Sequence, residues 1–236
     1  MTSIVSAQDL RRVYGEGGAA VTALDGVSVA FPAGAFTAIM GPSGSGKSTL
    51  MHLLAGLDRP TAGSVTLDGV ELTTLNDDAL TQLRRDRVGF IFQAFNLLPV
   101  LNARENIELP LSIAGRKPDR EWVDQLIDLV GLRDRVSHRP SELSGGQQQR
   151  VAVVRALASR PAVVFADEPT GNLDSVSSTE ILQLLRRSVD EFGQTIIMVT
   201  HDEEAAAYAD RLLVLRDGQI VEDRAPTRGT AAPARV

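Results

Sequence analysis

A glycine-rich loop between a strand-like run and a helix-like run constrains this chain more than any other feature. Residues 39–49 read IMGPSGSGKST, in which Gly41 to Ser48 match the pattern G-x-x-x-x-G-K-S. The loop follows the apolar run FTAIM and precedes leucines at helical spacing. This context predicts a P-loop, in which glycine N–H groups surround phosphate oxygens at a helix N-terminus. The chain is therefore predicted to bind a nucleoside triphosphate.

The residues of this loop have separate chemical tasks. Lys47 supplies a point charge for the β- and γ-phosphates, and the Ser48 hydroxyl is a candidate Mg²⁺ ligand. An ordinary glycine-rich turn is the alternative, but such a turn requires neither the lysine nor the serine. The predicted nucleotide-binding residues here are Gly41, Pro42, Ser43, Gly44, Ser45, Gly46, Lys47, Ser48 and Thr49.

Short apolar runs alternate with helix-like segments along the rest of the chain. The runs FTAIM, VVFAD, TIIMVT and LLVL are typical of strands buried on both faces of a parallel sheet. Leucines at positions 50, 53, 54 and 57 predict one apolar face on the helix after the loop. Strands that alternate with helices predict an α/β fold with a mostly parallel sheet.

Other segments depart from this alternation. Asp-Gly pairs within residues 66–72 and 216–221 predict antiparallel hairpins beside the parallel sheet. Residues from about 97 to 160 are predicted to form a helical subdomain inserted into the α/β core, since they are mostly helical in pattern from 119 onward. We expect one domain over residues 1–223 and a disordered tail over 224–236, which has no periodicity.

Composition excludes several classes of protein. The net charge of -6 lacks the basic excess that is typical of nucleic-acid binders, so no nucleic-acid partner is expected. The absence of cysteine excludes disulfides and thiolate metal sites. The N-terminus has no signal-peptide pattern, and no apolar run approaches the ~20 residues needed to span a bilayer. We expect a cytoplasmic protein that works at a membrane only through another chain.

An acidic pair follows the apolar run VVFA. In a parallel sheet, functional residues gather at the carboxyl ends of the strands, where Asp167 and Glu168 are expected to lie. Asp167 is a candidate for the Mg²⁺ shell, and Glu168 is a candidate base for the attacking water. Two solvated turn acids or helix caps before Pro169 are the alternative, which the nearby P-loop makes less favourable.

Two further polar residues each end a strand-like run. Gln93 follows VGFIF and is a candidate to bind Mg²⁺ and to orient water. His201 follows IIMVT and is a candidate to hydrogen-bond the γ-phosphate. A purely structural role is the alternative for each. Their positions at the expected phosphate side of the sheet favour a role in the site.

The stretch LSGGQQQR at 143–150 contains a second glycine pair at a predicted helix start. Ser144 and Gln147 match a capping box, which explains the serine and the glutamine. Capping does not explain Gly145 and Gly146, which cost up to ~1 kcal/mol each relative to alanine in a helix. Bare N–H groups at a helix start form an anion site. Because the P-loop already holds the triphosphate, this second site has no ligand within one chain.

Taken in order, these motifs resemble those of the nucleotide-binding subunits of ABC transporters over nearly the whole chain. GPSGSGKS resembles the Walker A motif, VVFADE the Walker B motif and LSGGQ the signature motif. Gln93 matches the Q-loop, GNLD at 171–174 the D-loop and His201 the switch histidine. Tyr14 falls where the family places an aromatic residue that stacks on adenine. The resemblance implies a RecA-like P-loop NTPase core that takes ATP and Mg²⁺.

The resemblance also implies a ligand for the second anion site. In this family, two cassettes dimerise head to tail around two ATP molecules. Ser144, Gly145, Gly146 and Gln147 would then lie against the ATP held by the P-loop of a second copy or of a homologous cassette. Asp174 would cross that interface and help to position the water.

A membrane partner is implied as well. An integral-membrane permease would hold the cassette on the inner face of the cell membrane. The apolar stretch FNLLPVLNARENIELPL at 95–111 is the candidate docking site, and packing within the helical subdomain is its alternative. The stretches GLDRPTAGSV and DEPTGNLDS resemble cassettes that drive lipoprotein release or macrolide export. A mechanotransmitter, a soluble ATPase of ribosomes or DNA, and a dimerisation module with little hydrolysis are the alternatives.

Overall fold

The structure is a computed structural model that describes residues 3–226. Its strands are β1 (Ser3–Tyr14), β2 (Val21–Pro32), β3 (Phe36–Met40), β4 (Ala62–Leu67), β5 (Val70–Glu71), β6 (Val88–Phe92), β7 (Val163–Asp167), β8 (Ile196–Val199), β9 (Arg211–Arg216) and β10 (Gln219–Arg224). Its α-helices are α1 (Lys47–Leu54), α2 (Asp77–Arg87), α3 (Ala103–Ile113), α4 (Arg120–Leu129), α5 (Gly145–Ala158), α6 (Ser175–Phe192) and α7 (Glu203–Ala206).

The larger sheet has six strands in the order β10-β9-β3-β8-β7-β6. Strands β9, β3, β8, β7 and β6 run parallel to one another, and β10 pairs antiparallel with β9. The predicted α/β fold with a mostly parallel sheet is therefore confirmed. As a consequence of this topology, the carboxyl ends of β3, β6, β7 and β8 meet at one edge of the sheet, where ligands bind in open α/β sheets.

A second sheet of four strands, in the order β2-β1-β4-β5, is antiparallel. It includes the predicted hairpin between β4 and β5, and the predicted hairpin between β9 and β10 is also present in the larger sheet. The sequence did not reveal the long strands β1 and β2. Their register shifts between Ala7 and Leu10, next to Asp9 at φ 46°, and such a bulge interrupts the alternation of apolar residues.

Helix α1 is shorter than predicted. It ends at Leu54, because Gly56 adopts φ 66° and the Leu57 N–H donates to the carbonyl of His52 at 2.8 Å. Leu57 consequently leaves the apolar face and is 45% exposed. The prediction was wrong for this fourth leucine, whereas Leu50, Leu53 and Leu54 are buried as expected.

Helices α3, α4 and α5 lie within the predicted helical subdomain of about 97–160. Their buried residues share one core cluster with sheet residues such as Ile91, Val164 and Met198. At the other end of the chain, Arg224 still belongs to β10, where it pairs with Leu212, so the predicted tail begins one residue too early. Positions 227–236 of that tail lie outside the described residues.

No helix within residues 3–226 has the length and apolar character needed to cross a bilayer.

Candidate nucleotide site

A cavity of about 560 Å³ opens at the edge where β3, β7 and β8 end. This volume lies within the range of small-molecule sites in proteins. The cavity is lined by Ala23, Gly41, Pro42, Ser43, Gly44, Gly46, Lys47, Ser48, Thr49, Glu168, Val199 and His201. The structure thus brings together the predicted loop residues, apart from Ser45, with the predicted base and the predicted histidine.

At two positions of the loop, another part of the backbone lies so close that only glycine fits. A Cβ on Gly41, at φ 150°, would lie 2.1 Å from the carbonyl oxygen of Leu215. A Cβ on Gly46, at φ 101°, would lie 2.4 Å from the carbonyl oxygen of Ala23. Gly46 is also the N-cap of α1 and provides no side-chain acceptor, so the first N–H groups of the helix remain open at the cavity.

Lys47 supplies the positive charge of the loop. Its ammonium donates to the carbonyl oxygens of Gly41 at 2.9 Å and Pro42 at 2.8 Å. These bonds fold the side chain back over the loop and hold the charge at the cavity wall. Ser45 lies beneath the loop, where it is 3% exposed and its hydroxyl has no hydrogen-bond partner in the described structure.

Glu168 and His201 form a pair at the mouth of the cavity. The His201 Nδ1 atom lies 2.9 Å from Glu168 Oε1. This hydrogen bond and the negative charge of Glu168 raise the pKa of His201. Glu168 adopts φ 47°, a left-handed conformation that is strained for a residue with a side chain. Such strain is common at functional sites, where the surrounding structure holds it in place.

Asp167 ends β7 and is partly buried, although it does not line the cavity. Burial raises the pKa of its carboxyl group; His52 and Lys47 oppose this shift, and Glu168 adds to it. Mg²⁺ usually takes only one or two protein oxygens, with phosphates and water for the rest. The Ser48 hydroxyl and the Asp167 carboxylate fit that requirement. No cluster of three metal-binding acids, histidines or cysteines occurs in residues 3–226.

Gln93 lies away from the cavity. Its Nε2 donates to Asn172 Oδ1 at 3.3 Å, and Asn172 Nδ2 donates to the carbonyl oxygen of Gln93 at 3.0 Å. A Cβ on Gly171 would lie 2.7 Å from Gln93 Nε2, so this glycine makes room for the amide. Gln93 is thus hydrogen-bonded to the segment 171–174 and is not among the residues that line the cavity, and its role as a Mg²⁺ ligand stays a prediction.

The predicted capping box at the start of α5 is confirmed. The Gln147 N–H donates to Ser144 Oγ at 3.3 Å, and the Ser144 N–H donates to Gln147 Oε1 at 2.9 Å. A Cβ on Gly146 would lie 2.8 Å from Ser177 Oγ, so the close approach at this glycine comes from α6 of the same chain. Around Gly145, the nearest described side-chain atoms, on Leu173 and Phe95, would each lie 3.7 Å from an added Cβ.

Asp174 caps α6 and lies beside this region. The Ser177 N–H donates to Asp174 Oδ1 at 2.9 Å, and the Ser177 hydroxyl donates to Oδ2 at 2.8 Å. These hydrogen bonds lower the pKa of Asp174. Ser177 therefore contacts both Asp174 and the position of Gly146, which brings the starts of α5 and α6 together.

Tyr14 is separate from the cavity lining. Its hydroxyl donates to Asp58 Oδ2 at 2.9 Å, and the guanidinium of Arg12 lies 4.4 Å from the ring centroid. One face of the ring is thus covered by Arg12. The ring is partly exposed, and its role as an adenine platform stays a prediction.

The apolar stretch 95–111 has two parts. Ile107 and Leu111 are buried in the core, whereas Leu98 is 43% and Val100 72% exposed. Between these parts, the buried Asn106 side chain binds the backbone of Leu98, Leu101 and Asn102. Packing thus explains the helical part of the stretch, and the preceding loop presents apolar side chains at the surface.

A family model described as "ABC transporter" matches residues 24–171, which is more than half of the chain. The chain belongs to the ABC transporter family. The solved dimer of the ATP-binding cassette MJ0796, in a post-hydrolysis state bound to ADP and Pi, has a TM-score of 0.85 and 41% identity. The match covers 94% of this chain and 99% of that one.

Two curated relatives place this ABC cassette among transport proteins. The macrolide export ATP-binding/permease protein MacB of Marinobacter nauticus is 48% identical over 93% of this chain. The lipoprotein-releasing system ATP-binding protein LolD 1 of Chlorobium chlorochromatii is 50% identical over 86% of this chain and 84% of its own length. The chain spans about a third of the length of the MacB relatives, at 34% and 35% for the first two.

Three polar residues near the site of this ABC cassette were missed from the sequence. Asn172 holds Gln93, and Gln149 and Arg155 of α5 bind backbone carbonyls of the adjoining loops. A signal was present for Arg155, which is the one polar residue in the apolar run 151–158 of α5, whereas Gln149 lies within the polar run 147–150 and gave no such signal. Periodicity alone cannot tell which acceptor such a residue meets.

Proposed function

We propose that this ABC cassette hydrolyses ATP with Mg²⁺ in a head-to-tail dimer and transmits dimer closure to a separate integral-membrane permease. The observation that carries this proposal is the Glu168–His201 pair at the mouth of the P-loop cavity. A carboxylate that a histidine holds beside a phosphate cradle is arranged to act on water at the γ-phosphate. Binding alone would not require such a pair.

The residues around the cavity divide the chemistry between them. Glu168 accepts a proton from the attacking water, and His201 orients that carboxylate and hydrogen-bonds the γ-phosphate. Lys47 and the open N–H groups of α1 stabilise the β- and γ-phosphate charge. Ser48 and Asp167 would hold Mg²⁺, which neutralises charge on the phosphates when it is bound. Gln93 Nε2 donates to Asn172, which leaves Gln93 Oε1 as the atom that would join this shell.

The dimer is proposed because the start of α5 does not line the P-loop cavity of its own chain. Ser144, Gly145, Gly146 and Gln147 would contact the ATP of the second copy, and Asp174 would lie at the interface. An added Cβ at Gly145 would meet Leu173 and Phe95 at an ordinary contact distance of 3.7 Å, so packing within the chain does not require this glycine, which supports a contact with a second copy. The similarity to a cassette solved as a dimer with ADP and Pi also supports it.

The permease is proposed from the surface at Leu98 and Val100. Both apolar side chains are exposed on the loop that follows Gln93, so a partner seated there would contact a segment attached to the site. The similarity to proteins named for macrolide export and lipoprotein release supports a permease of the kind that works in those two processes. This partner would hold the chain at the inner face of the cell membrane.

The substitution Glu168→Gln tests the hydrolysis. Removal of the base should lower the turnover of ATP by about 10²–10⁴-fold while ATP binding persists. An ATP-bound dimer should then accumulate, which size-exclusion chromatography coupled to light scattering would measure. Glu191→Gln is the matched control, because Glu191 is a helix acid paired with Arg187 outside the cavity. Unchanged turnover in Glu168→Gln would contradict the assignment of the base.

The substitution Ser144→Arg tests the dimer. A long cationic side chain at the start of α5 should prevent closure onto a second copy, and hydrolysis should fall with it. Binding of ATP to the P-loop of the monomer should remain, since Ser144 does not line that cavity. Fluorescent-nucleotide titration and light scattering would report the two properties separately. An ATP-dependent dimer in this variant would contradict the head-to-tail arrangement.

A further inference from the structure

Gln149 is a fully buried polar residue in the second turn of α5, with 0% exposure. Its Nε2 donates to the carbonyl oxygen of Phe92 at 3.3 Å and to that of Pro169 at 2.5 Å. Phe92 immediately precedes Gln93, and Pro169 immediately follows Glu168. One side-chain amide therefore joins the backbone of two loops that carry predicted catalytic residues.

The oxygen of this amide has a different environment, and packing alone does not account for a glutamine here. Gln149 Oε1 is buried and has no hydrogen-bond partner in the described structure. A buried acceptor without a partner destabilises the folded state, and an apolar side chain at this position would avoid that loss. The benefit of the glutamine must therefore lie in its two donor bonds.

Arg155 lies on the same helix and binds the loop that contains Gln93, on the C-terminal side of that residue. Its Nη1 donates to the carbonyl oxygen of Asn96 at 2.6 Å, and its Nη2 donates to that of Phe95 at 2.8 Å. Phe95 and Asn96 adopt φ values of 59° and 50°, which are unfavourable for residues with side chains. Burial lowers the pKa of Arg155, so the guanidinium is also held at an electrostatic cost.

We propose that Gln149 and Arg155 are positioning residues that attach the Gln93 loop and the turn after Glu168 to helix α5. The two side chains bind the backbone on both sides of Gln93, at Phe92 and at Phe95–Asn96. Any displacement of the start of α5 at Ser144 would thereby move both loops with it. This inference rests on the proposed function, because it concerns the geometry of ATP hydrolysis at Glu168.

The first test compares Gln149→Met with Gln194→Met. The two glutamines are chemically matched, since Gln194 also donates to two carbonyl oxygens, those of Pro161 and Thr195, both at 3.2 Å. Its acceptors lie where β7 and β8 begin, at the opposite edge of the sheet. At Gln149, methionine removes the donors together with the unpaired oxygen, so the fold should persist.

Misplacement of the loops should lower kcat by roughly tenfold or more in Gln149→Met, because small errors in catalytic geometry have large effects on rate. The Kd for ATP should change by less than about threefold, since neither Gln149 nor its acceptors line the cavity. Gln194→Met should leave kcat at the wild-type value. Equal kcat in the two variants at matched folded fractions would overturn the proposal, whatever the change in melting temperature.

A second test does not depend on turnover. In Arg155→Gln, amide hydrogen exchange within residues 92–97 should be about fivefold faster or more, because the backbone loses two bonds to α5. Arg187→Gln is the control, since Arg187 donates to Glu191 on the surface of α6 and, within residues 3–226, to no backbone carbonyl. Unchanged exchange in Arg155→Gln would overturn the proposed attachment. Absence of hydrolysis in the wild-type chain would instead overturn the proposed function and leave the exchange result to decide the attachment.

Discussion

The starts of α1 and α5 contain glycine and serine in similar numbers, yet they are built in opposite ways. Helix α1 begins after Gly46, which has no side chain to accept from the helix, and its first N–H groups lie at the cavity. Helix α5 begins after Ser144, which with Gln147 completes a reciprocal capping box. The first start is thus open to a ligand, whereas the second already satisfies part of its own hydrogen bonding.

This difference indicates how each start meets a phosphate. The start of α1 can bind an anion without losing any existing side-chain bond. At α5, the Ser144 hydroxyl accepts from the Gln147 N–H and still has its own proton to donate to a phosphate, so the cap and a ligand contact are compatible. The cap does occupy the Gln147 N–H, so fewer backbone donors would remain for the proposed phosphate contact at α5 than at α1.

The largest effect is expected from a substitution in the loop at the open start of α1. In Gly41→Ala, the new Cβ would lie 2.1 Å from the carbonyl oxygen of Leu215 at a φ of 150°, so the loop has to move. The affinity for ATP should fall by about a hundredfold or more, as expected for a few kcal/mol of strain transferred to the site. Gly44→Ala is the matched control, because it also places alanine at a positive φ, 79°, but no described atom lies within 4 Å of its Cβ. Isothermal titration should show the larger loss in Gly41→Ala, and equal losses would contradict the assigned cause.

An intermediate effect is expected from substitutions of the two glycines at the start of α5. Gly145→Ala should raise the free energy of unfolding by about 0.5–1 kcal/mol, because alanine is the better helix former and its Cβ meets nothing closer than 3.7 Å. If a second copy brings its phosphate to this surface, ATP turnover should fall by about tenfold despite the added stability. Gly146→Ala should instead lower stability, since its Cβ would lie 2.8 Å from Ser177 Oγ. Faster or unchanged turnover in Gly145→Ala would argue against contact with a phosphate.

The smallest effect is expected from removal of the Ser144 cap, and it distinguishes the capping role of this serine from a contact with a ligand. Ser144→Ala should cost about 1 kcal/mol of stability through loss of the N-cap. Asn76→Ala should cost about the same, because Asn76 caps α2 by accepting from the Ala79 N–H at 2.9 Å. Thermal unfolding should therefore shift alike in both variants, and only Ser144→Ala should lose ATP turnover. Equal ATP turnover in the two variants would show that Ser144 acts only as a helix cap.

The sequence predicted those features in which a single local pattern decides the structure. The two hairpins and the capping box of Ser144 and Gln147 each depend on residues close together in the chain. The P-loop was predicted from its own local pattern, although Gly41 and Gly46 are also required by the distant carbonyl oxygens of Leu215 and Ala23. The strand ends that carry Glu168 and His201 follow from short apolar runs. Their meeting at one edge is then a property of any parallel sheet.

The features that the sequence could not predict depend on distant residues. Gly146 is a glycine because of Ser177, and the amide of Gln93 is directed by Asn172, 79 positions later in the chain. Leu57 lies outside α1 because Gly56 turns the chain, although leucine spacing alone favours a longer helix. Spacing within one segment does not reveal which segment packs against it.

The order of strands in the larger sheet has a consequence for biosynthesis. Strand β3, which leads into the phosphate loop, pairs with β8 on one side and β9 on the other. Both neighbours lie in the last part of the chain, at Ile196–Val199 and Arg211–Arg216. A ribosome must therefore synthesise the chain as far as β9 before the loop gains both neighbouring strands that fix it. Until then the nascent chain contains the phosphate-binding residues without the sheet that shapes them into a site.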